Sequence, residues 1–156
     1  MRMPVLAALS LLLVACAEPP PAATAAAPAL PPTLALKDLM DWVLDPAADV
    51  IWGAAGTIVT EEGEQSLAPT TDEGWNAIRN AAAVVVESGN LLMMPGRARD
   101  QGDWQKHAAQ LIDTGSRLLR AAQAKDTDGV FNGGGDLYVI CTECHQKYLP
   151  QEPAPG

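Results

Sequence analysis

Cys141-Thr142-Glu143-Cys144-His145 sets two thiols and an imidazole at a short, fixed spacing near the C-terminal end of the sequence. On a helix, positions three and four apart share one arc of the surface. Cys141 and Cys144 can then reach the two vinyl groups of one porphyrin and form thioethers. His145, beside the second cysteine, is carried under the ring to ligate iron through an imidazole nitrogen. The spacing C-x-x-C-H is that of c-type haem attachment. Other uses of these residues need more than the sequence offers. A zinc site needs two further good ligands, and outside the motif only His107 and Cys16 remain. A redox dithiol belongs at the start of a helix after a strand, and no strand–helix alternation is found. One covalent haem c is the cofactor expected.

The elements that must position this motif read as helices. Alanine is abundant, aromatics are few, and strand-rich β-branched runs are nearly absent. From Leu34, with Thr33 as a cap, apolar residues at Leu36, Leu39/Met40, Val43, Ala47 and Val50/Ile51 keep a helical period to about Thr57. Pro46 should kink or restart this helix. A loop over 61–69 follows. Thr70 and Glu73 offer a capping box for a second helix that runs to about Leu92 and stops at Met94-Pro95-Gly96. The loop over 95–102 carries Arg97 and Arg99. Asp103 caps a third helix, 104–125, with Trp104, Ala108, Leu111/Ile112, Gly115, Leu118/Leu119 and Ala122 inward. A turn at 126–128 leads to the fourth, about 128–149, closed by Pro150. Gly133-Gly134-Gly135 inside it costs roughly 1 kcal/mol per residue relative to alanine. Val130/Phe131, Gly134, Leu137/Tyr138, Cys141 and Cys144/His145 stay in helical phase across it, so close approach of a neighbouring helix or of the haem is expected rather than a break.

The remainder of the chain reads as export and tethering. Residues 1–15 combine Arg2 with an apolar run too short to span a bilayer, as in a secretory signal. Leu13-Val14-Ala15-Cys16 resembles a bacterial lipobox, which implies cleavage before Cys16 and a diacylglycerol on its sulfur. Ala15-Cys16-Ala17 also fits ordinary signal peptidase, which would leave a soluble periplasmic product. Residues 16–33 form a Pro/Ala-rich tether that cannot bury a core. Residues 34–150 then suit one domain. The expected location is the periplasm, with a lipid anchor to the inner or outer membrane. The three cysteines are accounted for, two by haem and one by the anchor. The formal charge is −9, or −10 once Arg2 is removed with residues 1–15. Haem propionates would add to it. Such a chain, with no Lys/Arg cluster, is unsuited to nucleic acid, and a redox partner should present a basic docking face. No Ser/His/Asp set, carboxylate pair or phosphate loop appears, so an enzyme is not expected.

Four helices with short links, and Cys141-Thr142-Glu143-Cys144-His145-Gln146-Lys147-Tyr148 on the last, resemble the cytochrome c′ family of class II c-type cytochromes. The resemblance covers about residues 34–151. It implies an all-α fold, an antiparallel four-helix bundle with haem near the C-terminal end of the last helix and His145 as proximal ligand. It also implies a distal position on the first helix. Members with an apolar residue there leave iron five-coordinate, to bind nitric oxide or carbon monoxide, and members of the c-556 type place a methionine there and transfer electrons. Met40 stands in about the right place, either as sixth ligand or as core filler. Many five-coordinate members carry a basic residue four positions after the histidine, where this chain has Leu149. A homodimer is compatible with the resemblance. His107 is expected at a partly exposed helix border, Met93 and Met94 as core and cap contacts, Arg97 and Arg99 in a solvated loop, and Trp42, Trp52, Trp75 and Trp104 in the core.

Overall fold

The computed structural model describes residues 31–149. Residues 1–15 and Cys16 lie outside them, as does nearly all of the tether. The described chain is mostly helical, with one small hairpin, and is compatible with an all-α bundle. None of its helices is long and apolar enough to cross a membrane.

The first helix is one rod in three pieces: α1 (Leu36–Leu39), a π-helical turn (Met40–Leu44) and α2 (Asp45–Gly53). Pro46 has no N–H to give the carbonyl four residues back. The chain widens just ahead of it, where the Asp45 N–H bonds to Met40 O five residues earlier. The extra residue turns the apolar stripe. Leu39, Leu44, Ala47, Ala48 and Ile51 are buried, while Leu36, Met40 and Val43 sit half-buried at the edge and Val50 is exposed. Leu36, Met40, Val43 and Ala47 therefore do not share one inward face. The start also differs from expectation, since Ala35 precedes the helix and no side chain caps it.

The rod stops at Gly53 rather than near residue 57. Thr57–Thr60 (β1) pairs antiparallel with Gly63–Ser66 (β2), in the register Thr57↔Ser66 to Thr60↔Gly63. The β-branched run Thr57-Ile58-Val59-Thr60 suits a pleated strand better than a helix. Gly63, at φ +132°, takes the backbone round the Glu61-Glu62 corner. Leu67 N–H to Gly56 O (3.0 Å) closes the base.

The three long helices are α3 (Asp72–Leu92), α4 (Asp103–Ala124) and α5 (Thr127–Tyr148). The Thr71 hydroxyl, not Thr70, caps α3 by accepting from Gly74 N–H. Asp103 lies inside α4, and Asp100 Oδ1 takes the capping role by accepting from the N–H groups of Gly102 and Trp104. Asp126 caps α5 through Gly129 N–H. Antiparallel α3 and α4 touch at small residues: a Cβ on Gly89 would lie 2.8 Å from Ala108 O, and one on Gly115 3.0 Å from Val86 N. α4 and α5 are closed along their length. Leu118 fills the space over Gly133, Arg117 pairs with Asp136 at 2.8 Å, and Lys147 pairs with Asp103 at 2.5 Å. The triple glycine leaves α5 unbroken. Gly133 meets Leu118, Gly134 meets Trp52 and Ile51, and Gly135 faces open space. Leu39, Ile51, Ile78, Leu118 and Leu137 are almost wholly buried in the common core, each worth about 1.5–3 kcal/mol by transfer.

Candidate haem-attachment site

The motif occupies the last two turns of α5. Cys141 and Cys144 are one turn apart, half-buried and free, with Cys141 packed against the core. His145 is the next residue round the helix and is exposed. It continues a line of exposed rings at seven-residue spacing, Phe131 and Tyr138, 57% and 63% exposed. Among the described residues no three His, Cys, Asp or Glu side chains converge as a metal-binding set. What the motif offers is one imidazole nitrogen and two sulfur anchors, which would suit a metal that brings most of its own ligands.

The electrostatics disfavour thiolate. Burial first, then the neighbouring Cys144 and the carboxylate of Asp45, push the Cys141 thiol up to about 11. Burial also raises Cys144. A reactive redox dithiol depends on the opposite shift. A haem would supply two vinyl groups, each able to take up the S–H of Cys141 or Cys144 as a thioether. The product is neutral, so burial that penalises a thiolate does not penalise it. The residues present fit a haem c.

Which flank of α5 could receive a macrocycle follows from the packing. The α4 side is filled, and opening it would break both ion pairs and expose Leu118. On the other side, contact with the first helix runs through α2. Trp52 Nε1–H donates to Gly134 O (2.9 Å), the Trp52 and Tyr138 rings meet edge-on at 6.2 Å, and Asp45 is near enough to act on Cys141. A trough of about 370 Å³ lined by Trp52, Ala55, Phe131, Gly134 and Tyr138 opens along this side, one to three turns before Cys141, and neither the motif nor Met40 lines it. Pairing Trp52 with Gly134 and Asp45 with Cys141 sets an antiparallel register that brings Met40 level with His145 and Gln146. Met40 is half-buried against the core, on the π turn, which rests on α3.

Several side chains stand where sequence reasoning did not put them. His107 is buried, 7% exposed, with Nδ1 unpartnered, rather than at an exposed border. The register fixed by Leu118–Gly133 and Asp103–Lys147 sets it level with Cys144, on the filled flank of α5. Its neighbours one turn away, Trp104 and Leu111, are both buried, which was the available signal. Arg97 is buried too, and its Nη2 donates to Leu34 O (2.8 Å), tying down the start of the domain instead of facing solvent. Arg99 is exposed. Trp42 is 66% exposed and not a core residue, whereas Trp75 and Trp104 are buried and Trp52 is half-buried. Met93 packs against the core as expected. Tyr148, read only as part of the motif's tail, donates its hydroxyl to Asp100 Oδ2 at 2.5 Å.

No family model, curated protein or solved structure matches this chain.

Proposed function

We propose that this chain is a periplasmic-side haem c protein that carries single electrons, as an antiparallel four-helix bundle in the manner of the cytochrome c′ and c-556 proteins. One observation carries the reading: two free, half-buried thiols one helical turn apart, followed at once by an exposed histidine, at the end of α5. A bound haem would supply iron that changes oxidation state by one electron. The chain's own work is mechanical and electrostatic. Cys141 and Cys144 tether the group, His145 offers the proximal nitrogen, and Met40 on the facing rod is the candidate sixth ligand, whose thioether would raise the potential. The acidic surface favours a partner with a basic docking face. Cys16 would hold the domain at the membrane through a lipid.

The five-coordinate alternative, iron free to bind nitric oxide or carbon monoxide, draws support from Met40's half-buried packing in the core cluster. An absorption spectrum in both oxidation states separates the two readings. A low-spin spectrum with a methionine-to-iron charge-transfer band supports the carrier, and a high-spin spectrum the gas binder. Haem should stay with the polypeptide on a denaturing gel. Extraction by acid acetone from protein matured with its own attachment machinery would sink both.

A further inference from the structure

His145 sits in the last turn of α5, and the last turn of a helix is where fraying is cheapest, because its final carbonyls lack helical partners. Three residues later the helix ends, and Leu149 N–H donates to His145 O (3.0 Å) across that end. A ligand on a fraying turn would leave its iron whenever the turn opened. We propose that Asp100 is a positioning residue for His145, acting through Tyr148 to hold this turn closed; the inference rests on the haem reading above.

The geometry is that of a clamp with both ends anchored. Asp100 uses its two oxygens differently. Oδ1 accepts from Gly102 N–H (2.8 Å) and Trp104 N–H (3.1 Å), which fixes the carboxylate at the start of α4. Oδ2 is thereby left pointing at α5, where it receives the Tyr148 hydroxyl at 2.5 Å. The Tyr148 ring meets the Trp104 ring edge-on, centroids 5.0 Å apart. Trp104 is itself immobilised: it is buried, and its Nε1–H donates to Leu92 O (2.8 Å) at the end of α3. The last turn of α5 is thus joined through Tyr148 to the ends of two other helices. Lys147 adds a pair to Asp103, but both partners are about half exposed, and exposed pairs contribute little. The charged hydrogen bond to Asp100 is the stronger element.

The test uses the full, haem-loaded protein. Tyr148→Phe keeps the ring against Trp104 and removes only the O–H. Asp100→Asn keeps an acceptor for the two amides and removes the charge. Lys125→Ala is the control, because it breaks the ion pair to Asp72 at the opposite end of α4. Amide hydrogen exchange should accelerate roughly tenfold over residues 145–148 in both test variants, the loss of about one charged hydrogen bond. The centre of α3 should not change, and the visible absorption band of the haem, which reports the ligand field at iron in either spin state, should broaden or shift. Lys125→Ala should leave that band and that turn as in the wild type. Unchanged exchange and an unchanged band in Tyr148→Phe would overturn the proposal, as would acceleration spread evenly over all helices. Wild-type protein without covalent haem would instead sink the functional reading and this inference with it. Haem-bearing wild type with insensitive variants would sink the inference alone.

Discussion

Three consecutive glycines in one helix make an internal experiment, because each faces a different surrounding. Alanine at Gly135 would meet nothing within 4 Å, so only helix propensity acts, and the gain should be about 1 kcal/mol. At Gly134 the new methyl would come 3.5 Å from Trp52 Cδ1, an ordinary contact, leaving most of that gain. At Gly133 it would lie 2.7 Å from Leu118 Cδ2 and 2.9 Å from Cγ. Leu118 is wholly buried and cannot swing into solvent, so α4 and α5 must separate or the leucine must leave its rotamer. Overpacking of that kind costs about 1–3 kcal/mol, which cancels or exceeds the propensity gain. The expected order of stability is Gly135→Ala, then Gly134→Ala, then Gly133→Ala, with a total spread of about 1–3 kcal/mol. For a domain of this size each kilocalorie should move Tm by roughly 3–5 °C. Thermal and urea unfolding of the three proteins, all haem-loaded alike and followed by far-ultraviolet circular dichroism, reads the order directly. If Gly133→Ala is as stable as Gly135→Ala, the close α4–α5 approach described above is wrong.

Met40→Ala should cost about 2 kcal/mol or less, since the side chain is only half-buried. If Met40 ligates iron, the variant must also turn high-spin and gain affinity for carbon monoxide, measured by optical titration; equal affinity in both proteins would reduce Met40 to packing. Cys16→Ser should move the protein from the membrane fraction to the soluble periplasmic fraction, and a wild type already soluble and beginning at Ala17 or Glu18 would refute lipidation. The Asp100–Tyr148 bond predicts two pH limbs. The Tyr148 hydroxyl, then the amide of Trp104, lower the Asp100 carboxyl below its ordinary 3.8, so its contribution is full above about pH 5 and is lost as pH falls through the folded value. Burial first, and the bond to Asp100 second, raise Tyr148 above its ordinary 10.0, so stability is kept below pH 10 and lost as pH climbs through the raised value. Denaturant titrations across pH should show Asp100→Asn flattening the acid limb and Tyr148→Phe the alkaline one.

The long helices were readable because their ends carry local chemistry: a threonine ahead of α3, Asp126 ahead of α5, and Met94-Pro95-Gly96 after α3. The same locality explains the errors. The helical period carries the first helix to about Thr57 and leaves 58–60 without an element, although the β-branched run Thr57-Ile58-Val59-Thr60 pairs across a hairpin. Polarity placed Arg97 and His107 outside, yet Arg97 finds a carbonyl 63 residues back along the chain, and no local pattern announces such a partner. Trp42 counts as core by residue type, but it stands on the outer side of the π turn, 66% exposed. In the site, the spacing of Cys141, Cys144 and His145 was legible because all three belong to one helix. The Asp100–Tyr148 link was not, since it joins residues 48 apart whose types have no special affinity until the fold aligns them.

The π turn at Met40–Leu44 has a consequence for how this chain can vary. It works as a swivel between two halves of one rod. Everything C-terminal to it, Ala47, Ala48, Ile51 and Trp52, is committed to packing against α3 and α5. N-terminal to it, Leu39 is buried and the Leu34 carbonyl is held by Arg97, in an angular setting that the wide turn provides. Deleting one residue from that turn would restore an ordinary helix and rotate Leu39 and Met40 by about 100° around the axis, while leaving α2 where it is. Leu39 would then leave the core and Leu34 would leave Arg97, so the one extra residue is what lets both halves of the rod pack at once.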